Sequence, residues 1–180
     1  MKKLLIITAI ILALIAFPKT TLAAEVSHPS AQLAALPAVT NNSFDTRVRA
    51  LRNVLTRHNS PLVDQAGFYV KYANLYGVDW KLLPAISGLE SSFGVYLMPE
   101  SFNAYGWGGG HIYFESWEDG IHTINKALRE NYMNRGATDV WSIGPIYAES
   151  PTWSVRVNSI MNEINEEFLH LSTLSMLPNI

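Results

Sequence analysis

The sequence predicts a mainly α-helical domain with one irregular lobe, and three observations predict it. Apolar residues recur at spacings of three and four over most of residues 43–171. Capping residues and glycines punctuate these runs at helix-like lengths. Residues 95–115 alone break the pattern, with a stretch dense in aromatics and glycines.

Each element follows from local spacing. In "SFDTRVRALRNVLTRHN" (43–59), Phe44, Val48, Leu51 and Leu55 share one helix face. "SPLVDQAGFYVKYANLYG" (60–77) opens with Ser60 as cap and Pro61 at the first helical position, and stops at Gly77. "DWKLLPAISGLESSFG" (79–94) opens on Asp79 and stops by Gly94, with Pro84 near the limit of what a helix tolerates. "SWEDGIHTINKALRENYMNRG" (116–136) has Ser116 as cap and aligns Ile121, Ile124, Leu128 and Tyr132. "TDVWSIGPIYAES" (138–150) predicts a short helical piece broken near Gly144-Pro145. "SPTWSVRVNSIMNEINEEFLHL" (150–171) puts Trp153, Val157, Ile160, Ile164 and Phe168 on one face, and 163–167 ("EINEE") on a solvated one. Trp141 and Trp153 are expected in the core. Residues 172–180 form a loose tail, and 95–115 a long loop or short β-hairpin. Loops of that length in a compact domain tend to carry function.

The N-terminus is a different material. "MKK" precedes the apolar run "LLIITAIILALIAF" and the small-residue stretch "PKTTLAA". Residues 1–23 thus have the pattern of a secretory signal peptide, cut before Ala24 with Thr21 and Ala23 at the small-residue positions. The alternative is an uncleaved anchor, but the run of 14 falls short of the roughly 20 residues a span needs. Residues 24–42 have no periodicity and are expected to be a flexible leader. No later segment is apolar enough to span a membrane. Without Lys2, Lys3 and Lys19, ten of the 13 basic residues remain against 15 acidic ones, a net charge of −5. Such a balance argues against a nucleic-acid partner. The absence of cysteine excludes disulfides and thiolate metal sites. His111 and His122 lie eleven apart without a third partner, so neither a metal nor another cofactor is expected. The expected location is secreted, periplasmic or envelope-associated.

The chemistry concentrates at "AISGLESSFG" (85–94). At helical spacing Glu90 shares a face with Ile86 and Leu83, which predicts a carboxyl on the buried side of the last helical turn. Desolvation and the unpaired carbonyls of a helix end both favour a protonated carboxyl. A general acid for glycosidic cleavage needs that proton. The structural alternative is a glutamate paired with Arg129 or Arg156. Tyr105, Trp107, Tyr113 and Phe114 follow in the loop; aromatic faces suit sugar rings, although core packing is the commoner fate of any one aromatic. Asn103 has the donors and acceptors to bind an acetamido group.

Four motifs in order resemble one family. "AISGLESSFG" resembles the catalytic helix end of the lysozyme-like superfamily, where a Glu-Ser pair closes the helix. "NAYGWGG", "YFESWEDGIHTI" and "PIYAESPTWSVRVNSIM" resemble successive segments of its bacterial endo-β-N-acetylglucosaminidase branch. The likeness runs from about residue 65 to 168. It implies a lysozyme-like helical domain over 43–171 that cleaves the β-1,4 links of peptidoglycan glycan strands. Glu90 would be the catalytic acid and Ser91 its neighbour supporting the helix end. Ser91, Asn103, Tyr105, Trp107 and Tyr147 would bind substrate, with Tyr105 and Tyr147 lining the cleft. The branch usually has a longer lobe with a second glutamate in a Thr-x-Glu setting, which "GGGHIYFE" lacks. Glu115 is then the best candidate for the second carboxylate, since Glu118 and Asp119 fit first-turn positions of the next helix. With a single carboxyl, the substrate's acetamido group or 6-hydroxyl would attack instead, the latter being the lytic transglycosylase outcome. A non-catalytic peptidoglycan-binding envelope module on the same fold is the alternative from another class.

Overall fold

A computed structural model describes residues 45–176, all within the compact unit Ala38–Ile180. The signal-peptide and leader segments (1–42), Ser43 and Phe44 lie outside the described residues. The fold is mainly α: six α-helices and, among the described residues, no strand.

Helix α1 (Thr46–Arg57) is capped by Asp45, whose carboxylate accepts the Arg47 N–H; Val48, Leu51, Val54 and Leu55 fill its buried face. The second helix starts later than its sequence predicts. The Ser60 hydroxyl donates to the Phe93 carbonyl at 2.7 Å and accepts the Leu62 N–H, which makes a turn here. A short 3-10 turn (Val63–Gln65) follows, and α2 runs Ala66–Tyr76. Gly77, at φ 63°, ends it in the left-handed region that glycine enters without steric cost.

Helix α3 (Leu82–Ser91) tolerates Pro84 because its third residue has no intrahelical acceptor for an N–H. It ends abruptly in three successive left-handed residues, Ser92, Phe93 and Gly94. Residues 95–116 form an irregular loop with a tight turn at Trp107–Gly110, where Gly108 and Gly109 take left-handed angles, so the lobe is not a β-hairpin.

Helix α4 (Trp117–Ala127) begins where the Ser116 hydroxyl accepts the Asp119 N–H. It continues through a π-turn (Leu128–Tyr132) and a 3-10 turn to Gly136. Helix α5 (Val140–Tyr147) carries a reciprocal Asp139–Ser142 capping box and passes unbroken through Pro145, contrary to the break expected there. Helix α6 (Trp153–Met176) outlasts its predicted end: residues 172–176 remain helical, and Leu171 is buried. Residues 177–180 of the expected tail lie outside the described residues.

Helix α6 is the spine, packed against α1, α3 and α5, while α2 rests on α1 and α4. Glu163 and Glu167 do not form a purely solvated face. They reach Arg57, His58 and Asn53 across the α1–α6 seam. Among the described residues no helix is long and apolar enough to cross a membrane.

Candidate functional site

The end of α3, the glycine-rich loop, the end of α5 and the start of α6 meet around Glu90. Its carboxyl Oε1 accepts the indole N–H of Trp153 at 2.8 Å. A Cβ built on Gly106 would lie 3.1 Å from Oε2, so the missing side chain there leaves room beside the other oxygen. Contrary to the buried face expected for it, Glu90 is exposed. Leu83 and Ile86 do pack in the core, but the helix stops one residue after Glu90 and its last turn reaches the surface. Its partner is an indole rather than Arg129 or Arg156; Arg129 Nη1 lies instead near Gly77.

The turn behind Glu90 is held under strain. Ser92 and Phe93 both have positive φ, which non-glycine residues keep only when their surroundings demand it. Ser91 supplies part of that demand. Its buried hydroxyl lies 3.0 Å from the Ser87 carbonyl and 2.8 Å from the Ala104 carbonyl, and it accepts the Gly94 N–H at 2.8 Å. This places Ser91 in the frame that joins helix to loop, not at a substrate surface. Phe93 folds back so closely that a Cβ on Gly88 would come 2.7 Å from its ring.

Asn103 and Tyr105 also differ from expectation. The Asn103 amide is spent on the loop: it donates to the Trp107 and Ile112 carbonyls, at 2.9 Å each, and accepts from the Tyr105 and Trp107 N–H groups. No donor is left for an acetamido group. Tyr105 is fully buried, its hydroxyl 3.1 Å from that of Tyr69 beneath the site rather than lining a cleft. Burial pushes the Tyr69 phenol up to about 12 and the Tyr105 phenol well above its ordinary value, so both stay protonated.

Trp107 and Tyr147 remain at the site with two residues the sequence reading did not assign to it. The Tyr147 ring stacks on Trp153 at 4.8 Å and 25°, with Trp107 at 5.9 Å and Tyr132 at 6.2 Å. The Tyr147 hydroxyl donates to the Tyr105 carbonyl at 2.7 Å. Burial, then the nearby charge of Glu90, holds that phenol well above its ordinary range. Its ring is therefore what it offers a ligand. Tyr132 comes from the π-turn, a feature no periodicity argument places. Trp153 was expected as core, and is 3% exposed, but a buried indole N–H needs an acceptor and here finds Glu90.

Other candidates are exposed or engaged elsewhere by their neighbours. Glu115 is exposed, and its backbone N–H donates to Asp119 at the start of α4. Glu118 accepts from Tyr72 at 2.7 Å and Lys71 at 3.3 Å. His122 lies against the Tyr76 hydroxyl at 2.6 Å, and His111 is exposed. Trp141, contrary to the core position expected, is 53% exposed. With Val78, Leu82 and Asn158 it lines a concavity of about 250 Å³. This concavity adjoins the first turn of α3, while Glu90 is in its last, roughly 12 Å further along the axis.

The arrangement presents an open carboxyl, anchored at one oxygen by a neutral donor that belongs to a cluster of four aromatic rings. Chemically that suits proton delivery to a ligand with apolar faces and an ether-type oxygen. No family model matches this chain, and no curated protein matches it.

Proposed function

We propose that this chain cleaves the β-1,4 links of peptidoglycan glycan strands, with Glu90 as the general acid. The observation that carries the reading is the exposed Glu90 carboxyl held by Trp153, whose ring stacks on Tyr147 of the Trp107–Tyr132–Tyr147 cluster. The ordered motifs around it support the same reaction class. Glu90 would protonate the glycosidic oxygen as the bond to the anomeric carbon breaks, leaving positive charge on the sugar ring. Aromatic rings beside the carboxyl would pack against the C–H faces of the sugars.

Completion of the reaction needs a nucleophile. Glu115 is the carboxylate proposed to activate water. Glu118 is held by Tyr72 and Lys71, and Asp119 by the start of α4; a second route needs no second carboxylate. In it the substrate's own 6-hydroxyl attacks the anomeric carbon. The Glu90 carboxylate takes up the hydroxyl proton, so a single carboxyl serves as acid and then base, and an anhydro sugar results.

Digestion of purified sacculi followed by mass spectrometry tests the proposal. Soluble muropeptides are expected, with reducing-end N-acetylglucosamine by hydrolysis or anhydro ends by the second route. Glu90→Gln should lower release by about 10²- to 10⁴-fold, the usual contribution of general acid catalysis. Undiminished release by Glu90→Gln would remove the mechanism. Capture on sacculi without release would make the chain a binding module.

A further inference from the structure

We propose that Trp153 is the positioning residue for Glu90: its indole N–H fixes Oε1 and leaves Oε2, against Gly106, as the oxygen that carries the reacting proton. The chemical role rests on the glycosidase reading; the anchoring does not.

Trp153 is the first residue of α6 and is 3% exposed, so its ring is fixed by packing. Tyr147 stacks on one face at 4.8 Å. On the α5 side, Gly144 is so close that a Cβ there would lie 3.1 Å from Trp153 Cε3. The indole is therefore rigid, whereas Glu90 is a flexible side chain on an exposed helix end. A rigid donor at 2.8 Å restricts that side chain to one arrangement.

The identity of the donor also sets the proton's address. An indole N–H donates and cannot accept. A neutral carboxyl has one acceptor-only oxygen and one hydroxyl oxygen. With the N–H directed at Oε1, the carboxyl proton belongs on Oε2. The absence of a side chain at Gly106 keeps space beside that atom, since a Cβ would come within 3.1 Å of it. A lysine or arginine at the same place would hold the carboxyl as an ion and oppose its use as an acid. An indole positions it without bringing a charge.

Two experiments test this independently. In a ¹H–¹⁵N spectrum of the full chain, the Trp153 indole signal is assigned by its loss in Trp153→Phe. It should move in Glu90→Ala, a substitution at an exposed position, while the other indole signals hold. An unmoved signal overturns the anchoring, whether or not sacculi are cleaved. In digestion assays, Trp153→Phe keeps a ring for Tyr147 to stack on and removes the donor together with part of the indole's volume. It should lower kcat about 10- to 100-fold with KM within about twofold. Wild-type kcat in a folded Trp153→Phe protein overturns the positioning role, as does a loss confined to KM. If wild-type protein releases nothing from sacculi, the glycosidase reading fails, and the indole shift alone decides whether Trp153 anchors Glu90.

Discussion

A buried hydroxyl that serves three backbone groups is an expensive atom to remove. Ser91 Oγ accepts the Gly94 N–H and lies within hydrogen-bond reach of the Ser87 and Ala104 carbonyls. Ser91→Ala would leave the Gly94 N–H without that acceptor at a turn already in left-handed geometry. The expected loss is about 1–3 kcal/mol, read as a lower urea midpoint at unchanged slope. KM for glycan should stay within about twofold, because the hydroxyl faces the protein. A raised KM with unchanged stability would instead make Ser91 a substrate contact. The same scale marks the limit of reading side chains from a sequence. Glu90 at the end of a helix was legible, because spacing and stop signals are local. The fates of Asn103 and Tyr105 were not, because they depend on which groups the loop backbone leaves unpaired. Trp153 had a legible clue in its chemistry: an indole expected in the core needs an acceptor, and Glu90 is the acceptor it finds.

At the scale of elements, caps and apolar spacing located six helices, because those signals act within one turn, although the second begins five residues after Pro61 and the last runs five residues past its predicted end. What they could not locate depends on contacts between elements. The π-turn at Leu128–Tyr132 brings Tyr132 among the site aromatics, yet its sequence continues an ordinary apolar stripe. Helix α5 shows why Gly144-Pro145 did not act as a break. Pro145 forfeits only one hydrogen bond late in a short helix, and Gly144 is there for close packing. A Cβ at 144 would overlap the Ser154 hydroxyl and press on the Trp153 ring. Gly144→Ala is thus a contest between helix propensity, worth up to about 1 kcal/mol in alanine's favour, and overpacking, which costs about 1–3 kcal/mol. Overpacking should win, because Ser154 is held by its bond to the Val140 carbonyl and Trp153 by its stack on Tyr147. The expected result is a net loss of stability together with a fall in kcat, as the indole shifts off Glu90. A more stable Gly144→Ala protein with full activity would mean that Ser154 turns aside freely and that the α5–α6 contact does not fix Trp153.

For the molecule as a whole, the seam between its first and last helices is where charge enters stability. Apolar packing carries most of that interface: Leu51, Val54 and Leu55 of α1 and Val157 and Ile164 of α6 belong to one core. At its outer edge Glu167 accepts from Asn53 at 2.7 Å and from Arg57 at 2.8 Å. The Asn53 hydrogen bond is the main cause that holds its carboxyl below the usual glutamate range, with Arg57 adding to it against the opposing effect of burial. A carboxyl whose folded pKa is depressed binds protons more readily in the unfolded chain. Its stabilising contribution is therefore complete above the unfolded value of about 4.3, and is lost as pH falls through the lower folded value. Asp45, held down by Arg47 at the start of α1, works in the same direction. Glu167→Gln keeps an acceptor for Asn53 but removes the charge. At pH 7 it should cost about 0.5–1 kcal/mol, since Arg57 is half exposed and solvent weakens the pair. Urea melts of both proteins from pH 7 to pH 3 check the sign: the gap between them should close as the pH drops below about 4. A gap that stays constant over this range would show that Glu167 supports the seam by shape alone and that its charge does not help to join the two ends of the domain.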